Sequence, residues 1–203
     1  MARPPKFDDE EILARAMTAI WRRGWSATSI RDLEHELNLK APAIYRRFGS
    51  KDGLARAVLE RYIEQVVRRR LRRYLPGSGD PISNVHAFFE SAVSPPSADE
   101  PLAGCLLTTM SFDVRRLDPA LTDVVAAGLA EIEDALRTEL ERAAVDHRLA
   151  GDTDAVFAAL ALAWQGLMVR ARAGSPPAEL QALARAAVDL VAPYGAAGPP
   201  GSR

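Results

Sequence analysis

Apolar residues recur along this chain at three- and four-residue intervals, the spacing of one helical face, and each periodic stretch is bracketed by residues that start or stop a helix. Leu13, Met17, Ile20 and Trp21 share a face. Asp8 with Glu11 reads as the capping box in front of it, and Gly24 as the left-handed residue behind it. Ile30, Leu33 and Leu37 point inward from a second helix, which Ser29 caps with Asp32 three residues on. A very short third helix runs from about Ala41 to Phe48, and Ser50 caps a fourth that reaches about Tyr74. Pro76-Gly77-Ser78-Gly79 breaks the chain, and Asp80-Pro81 starts a new helix with Asp as cap and Pro in the first position.

Residues 95–101 are proline-rich and read as a loop. A helix carrying Leu106, Leu107, Met110 and Phe112 follows. Asp118-Pro119 opens a long amphipathic helix to about His147, Gly151-Asp152 opens an apolar one ending near Gly174, and Ser175-Pro176 opens the last, which ends before Pro193. The pattern predicts an all-α fold of about nine helices, with no alternating stretch for a strand and no internal repeat. Residues 1–50 form a helix-turn-helix domain; residues 51–194 form a ligand-binding and dimerisation bundle, with the fourth helix (51–74) as linker; residues 195–203 read as a disordered tail.

Composition sharpens this. Apolar residues make up 48% of the chain, enough to fold rather than stay disordered. The net charge is −1, but residues 1–75 carry 17 Lys and Arg against 10 Asp and Glu, while residues 76–203 carry 9 against 17. A basic N-terminal part on a near-neutral chain points to an anionic partner touched there. Chance clustering is the competing reading, because residues 68–73 supply five of the positives. That run is expected to be a solvated face or a partner for acids of the bundle. Cys105 is the single cysteine, so no internal disulfide forms and a cytoplasmic location fits. The N-terminus lacks the apolar core of a signal peptide, and the apolar run 155–169 is expected to be too short for a membrane span.

Residues 28–48 have helix-turn-helix spacing: two short helices around Asn38-Leu39-Lys40, with Asn38 where the turn needs positive φ. The string Thr28-Ser29-Ile30-Arg31-Asp32-Leu33, then Leu37-Asn38-Leu39, then Ala43-Ile44-Tyr45-Arg46-Arg47-Phe48, then Ser50-Lys51-Asp52-Gly53-Leu54 resembles the TetR family of bacterial repressors. The resemblance covers about residues 8–60. It implies a homodimer that binds double-stranded DNA at a palindromic operator and responds to a small molecule, and no enzyme, cofactor or metal.

The resemblance places Tyr45 and Lys51 on DNA phosphates, where a phenol and an ammonium both suit an anionic oxygen. Arg47 stands where many relatives carry His. Ala41, Pro42 and Ala43 open the recognition helix and face bases, able to meet thymine methyl groups. Arg31 matches a base-reaching position, and Lys40 and Arg46 serve phosphate or base; taken singly, these three read more readily as solvated surface charges. Two departures stand out. Glu34 replaces a small residue of the second helix, so its charge must point outward or shift the packing, and Asn38 replaces the usual Gly.

For the bundle, Phe88, Phe89, Cys105, Leu106, Met110, Phe112, Phe157, Trp164 and Met168 are candidate lining for an apolar effector pocket, though each also reads as plain core. His86, Thr108, Thr109 and Gln165 are the polar candidates. Gly104-Cys105-Leu106-Leu107 resembles a segment in a subgroup of the family, some of whose members sense electrophiles or oxidants through a thiol; a free cysteine flanked by leucine more often packs inertly, which is the favoured reading, with sensing as the alternative. Leu160, Trp164, Leu167 and Ala171, with Leu180, Leu183, Ala187, Leu190 and Val191, are expected to form the dimer face. The three histidines are scattered, and neither a phosphate loop nor a nucleophile motif occurs, so an enzyme is disfavoured. A helical dimeric adaptor without DNA binding is the remaining alternative.

Overall fold

The computed structural model describes residues 9–93, 104–113, 116–149 and 151–192. Among these, nine helices and no strand occur. Three short helices come first: α1 (Asp9–Arg23), α2 (Ile30–Leu37) and α3 (Ala41–Phe48). The linker helix α4 runs Lys51–Tyr62, continues without a break through a π-helical stretch, Ile63–Arg68, and ends as Arg69–Tyr74. The bundle adds α5 (Pro81–Ala92), α6 (Leu106–Ser111), α7 (Pro119–Val145), α8 (Thr153–Arg172) and α9 (Pro177–Val191).

The helix ends follow local chemistry. Ser29 accepts from the Asp32 amide at 3.2 Å while Asp32 accepts from the Ser29 amide at 2.8 Å, a reciprocal box that starts α2. Asn38 ends it in the left-handed region at φ 50°. Ser50, Asp80, Asp118 and Asp152 each accept from an amide of the first turn behind them. One boundary and one length differ from the sequence expectation. The last helix starts one residue later, with Pro176 at the cap and no side-chain bond, because a second proline, Pro177, takes its first position. The 155–169 run belongs to a 20-residue helix that is, by length and composition, apolar enough to cross a membrane; here its inner side packs in the bundle. Asp8, the loop at 95–101 and the tail at 195–203 lie outside the described residues.

One continuous buried cluster extends from Ile12 and Trp21 in α1, through Tyr62 and Val66 in α4, to Trp164 and Val188 in the last two helices. The helix-turn-helix unit and the bundle therefore share a core. α4 crosses α7 at Gly128, where a Cβ would meet Ile63 Cδ1 and Leu107 Cδ1 at 2.9 Å. From the basic run in α4, Arg68 reaches Glu131 of α7 through a two-pronged pair at 2.9 and 2.7 Å, the acid partner expected of it.

The outer face of the last two helices corrects the sequence expectation. Leu160, Trp164, Leu167 and Ala171 are at most 4% exposed and belong to the protomer's own core, as does Leu180. The outward apolar residues are Leu162 and Val169 on α8 with Leu183 and Leu190 on α9. Between the two helices runs an open groove of about 340 Å³ lined by Ala163, Gly166, Leu183 and Leu190 among others.

Candidate DNA interface and effector cavity

The recognition helix is held from behind by one buried residue, Ile44, and by packing on α4. Pro42, Tyr45 and Arg46 fall at i, i+3 and i+4 on the opposite, exposed side. Lys40 before α3 and Arg31 in the first turn of α2 are also exposed, while Ala41 and Ala43 are half-buried. Arg47 is half-buried and pairs with Asp9 at 3.2 Å, an exposed bridge that opens at small cost when a phosphate competes for the guanidinium. Lys51 stands at the start of α4 with its ammonium 3.8 Å from the Trp25 ring centre and 3.5 Å from the Trp25 carbonyl. Partial burial holds that ammonium below its ordinary pKa, against the pull of Asp52, Asp113 and Asp32.

Glu34 does something the sequence pattern did not reveal. Lys40 occupies the cap position of α3 but contributes no side-chain bond. The missing acceptor comes from α2, where Glu34 Oε1 accepts from the Ala41 amide at 2.7 Å. The half-buried carboxylate thus turns to the next helix, where it satisfies an orphan donor of the recognition helix. The only signal in the sequence was a lysine where a capping hydroxyl or carboxylate belongs.

Two contacts fasten this unit to the bundle. Asp113, just after α6, accepts from the Ser26 hydroxyl at 2.5 Å and from its amide at 3.1 Å. Arg172, at the end of α8, donates to the Arg22 carbonyl at 2.7 Å and so caps the end of α1. Partners 87 and 150 residues apart leave no local mark in a sequence.

The third contact is Tyr62, also missed by sequence reading. It is 1% exposed. Its ring stands edge-on to Trp21 of α1, with centroids 5.3 Å apart. Its hydroxyl accepts from the Leu106 amide at 3.3 Å and lies 3.5 Å from Cys105 Sγ. Burial pushes this phenol well above its ordinary pKa, the Cys105 thiol adds to that, and the Arg70 guanidinium opposes it.

Beside Tyr62 lies a small cavity that Cys105, Phe88, Ile132 and Trp164 also line. Its volume of about 10 Å³ has room for about one water. A second of the same size, lined by Leu136 and Gln165, shares Ile132 and Trp164 with it. Of the sequence candidates, Phe88, Cys105 and Trp164 therefore meet at one place. Phe89 packs edge-on against Trp164 and lines the outer groove. Met110 and Met168 are buried in the core, and neither lines these two cavities. Phe112 is a correction: at the end of a six-residue helix it turns outward and is 70% exposed. Phe157 is another, half-buried under the Arg137 guanidinium at 4.1 Å. His86 pairs with Asp189 at 3.2 Å, and Thr108 donates to Gln165 at 3.0 Å, while Thr109 donates to the Cys105 carbonyl.

A two-helix DNA-reading unit, joined by one long helix to an all-helical bundle, defines a helix-turn-helix regulator. A model of bacterial regulatory proteins of the tetR family matches residues 12–58, and one of the tetracyclin repressor-like C-terminal domain matches residues 81–187. The chain belongs to the TetR family. It is 33% identical over 115 residues to the HTH-type transcriptional repressor ComR of Escherichia coli (strain K12), a match spanning 55% of each chain. The chain thus spans little more than half the length of that relative, and less of the others it matches. Among solved structures, it is similar to a cysteine mutant of the regulator CifR bound to 26-bp operator DNA, with 30% identity, 92% of this chain and 98% of that one covered, and a TM-score of 0.79. The reduced form of E. coli NemR, 20% identical over 90% of this chain and 96% of that one, shares the fold with a TM-score of 0.73.

Proposed function

We propose that this protein is a transcriptional repressor that acts in the cytoplasm as a homodimer on a palindromic operator and is released by a small, largely apolar effector bound in the bundle. One observation carries the reading: Tyr62, inside the linker helix, touches Trp21 of the DNA-binding unit with its ring and the Leu106 amide with its hydroxyl, beside a small cavity that it also lines. The exposed Pro42, Tyr45 and Arg46 supply the groove contact, with Arg31 and Lys40 beside them and Arg47 and Lys51 on flanking phosphates. CifR, a relative of similar fold, has been seen on its operator. The outward apolar side of α8 and α9 supplies a two-fold interface, and two recognition helices then enter successive major grooves.

Release is a population shift. A ligand that separates Phe88 from Trp164 binds best when α4 has moved, and α4 carries α1 and α3 with it. The test is anisotropy of labelled DNA flanking the gene, across a salt series. Tight binding that falls steeply with salt, and that Tyr45→Ala and Lys51→Ala each weaken, supports the repressor. Binding no better than to random DNA, there and in a selection from genomic fragments, favours the helical adaptor instead.

A second reading rests on Cys105, whose Sγ is 3.5 Å from the Tyr62 hydroxyl. Alkylation or oxidation of that thiol breaks this contact at the junction α4 controls, so Cys105 is the sensor in this reading. CifR has been studied as a cysteine mutant and NemR in its reduced form. Operator release by N-ethylmaleimide that Cys105→Ser abolishes supports it; release that survives Cys105→Ser rules it out.

A further inference from the structure

Two bonds from outside α4 end on one short stretch of the helix-turn-helix unit. Asp113, just after α6, accepts from the hydroxyl and the amide of Ser26, in the turn between α1 and α2. Arg172, in the last turn of α8, donates to the Arg22 carbonyl in the last turn of α1. The helices that send these bonds are themselves in contact. A Cβ on Gly104, ahead of α6, would stand 3.1 Å from the Met168 carbonyl oxygen and 3.5 Å from Arg172 Cβ, both on α8. A unit hung on α4 alone could turn about that helix; two further attachments, from separate helices of one frame, remove that freedom. Arg172 also lies one turn beyond Val169, which faces outward on the apolar side of α8. The unit is thus tied to that side of the molecule by a route that bypasses α4.

On the dimeric repressor reading above, we propose that Asp113 and Arg172 are positioning residues that fix the separation of the two recognition helices, and so select the spacing between operator half-sites, without touching DNA. One base pair added between half-sites moves one of them by about 3.4 Å and turns it by about 34°. A rigidly held unit cannot follow both changes, and the gain from engaging two sites at once is lost where geometry forbids it. A loosened unit follows them at the expense of affinity for the natural spacing.

The test uses the intact protein and anisotropy of three labelled duplexes: the operator selected from DNA flanking the gene, and the same sequence with one central base pair added or removed. The wild type is expected to prefer the natural spacing by about tenfold or more. Asp113→Ala and Arg172→Met are each expected to shrink that preference to about threefold or less. Asp113→Asn, which keeps an acceptor oxygen for Ser26, is expected to retain most of it. Ser26→Ala removes the hydroxyl from an exposed position and is expected to shrink the preference in the same direction, which keeps the test open where Asp113→Ala fails to fold. Loss of a charge acts on all three duplexes alike and cancels in the ratio. Variants that weaken all three equally, with the preference kept, overturn the proposal. A wild type indifferent to spacing also overturns it and leaves the repressor reading standing. Wild-type binding no better than to random DNA overturns both.

Discussion

Glu34 departs from the family pattern, and the lysine that precedes α3 gives the departure a role. A lysine at the cap of α3 leaves the Ala41 amide without its local acceptor, and Glu34 reaches across the turn to provide one. Its charge was legible in the sequence; its partner was marked only by the lysine at the cap position, which signals an unmet amide but not the side chain that meets it. Losing such a cap costs about 1 kcal/mol, so Glu34→Ala is expected to lower stability by that much in denaturant titration. Operator affinity is expected to fall several-fold, and Glu34→Gln, which keeps the acceptor, to restore both. Asp80 offers a pH test at the same scale. Partial burial raises its pKa, but bonds from Arg148 and the Ser83 amide outweigh this and hold it down to about 2 against an unperturbed 3.8. A depressed folded-state pKa contributes stability that is full above about pH 4 and is lost as the pH falls towards 2. After allowance for the partial exposure of this pair, that contribution is roughly 1 kcal/mol. Asp80→Asn is expected to flatten the stability curve of acid unfolding by that amount between those pH values, and an unchanged slope would refute it.

Among the elements, helix starts were the most readable because each rests on a cap and a few neighbouring residues: Ser29, Ser50, Asp80, Asp118 and Asp152 all cap where they were expected to. The π-helical stretch at Ile63–Arg68 was not readable, since a wide turn in mid-helix comes from the packing of Ile63 and Val66 in the core rather than from any breaker residue. Two glycines show how differently elements can meet. A Cβ on Gly53 would stand 1.9 Å from the Phe48 carbonyl oxygen, a rigid part of the end of α3. A Cβ on Gly128 would meet the tips of Ile63 and Leu107 at 2.9 Å, and those side chains can rotate. Gly53→Ala is therefore expected to force α3 away from α4 and reduce operator binding by about tenfold or more, as overpacking of 1–3 kcal/mol implies. Gly128→Ala is expected to cost less than half of that. Anisotropy with circular dichroism on both variants checks the order, and a larger loss for Gly128→Ala would refute it.

For the whole molecule, the α8 residues that the sequence pattern assigned to a dimer face lie in the protomer's own core. α8 is apolar nearly all round: Val156, Leu160, Trp164 and Leu167 lie on one side, Ala155, Ala158, Ala159 and Leu162 on the other. A period of 3.6 residues marks the inward side only when the outward side is polar. Packing decided the matter by placing Trp164 between Phe88 and Phe89 and leaving Leu162 and Leu190 more than 70% exposed. Leucines that exposed, on neighbouring helices flanking an apolar groove, call for a cover, and a second copy of the same surface provides one under two-fold symmetry. A charge at Leu162 has no partner in such an interface, whereas in the isolated protomer it meets only water. Leu162→Glu is accordingly expected to leave the helical content unchanged and to convert the protein to a monomer in sedimentation. Operator affinity should then drop by about 10²-fold or more, because two linked recognition helices gain from effective concentration what a single one lacks. A dimer that survives both Leu162→Glu and Leu190→Glu would place the interface on another surface and with it the spacing of the two recognition helices.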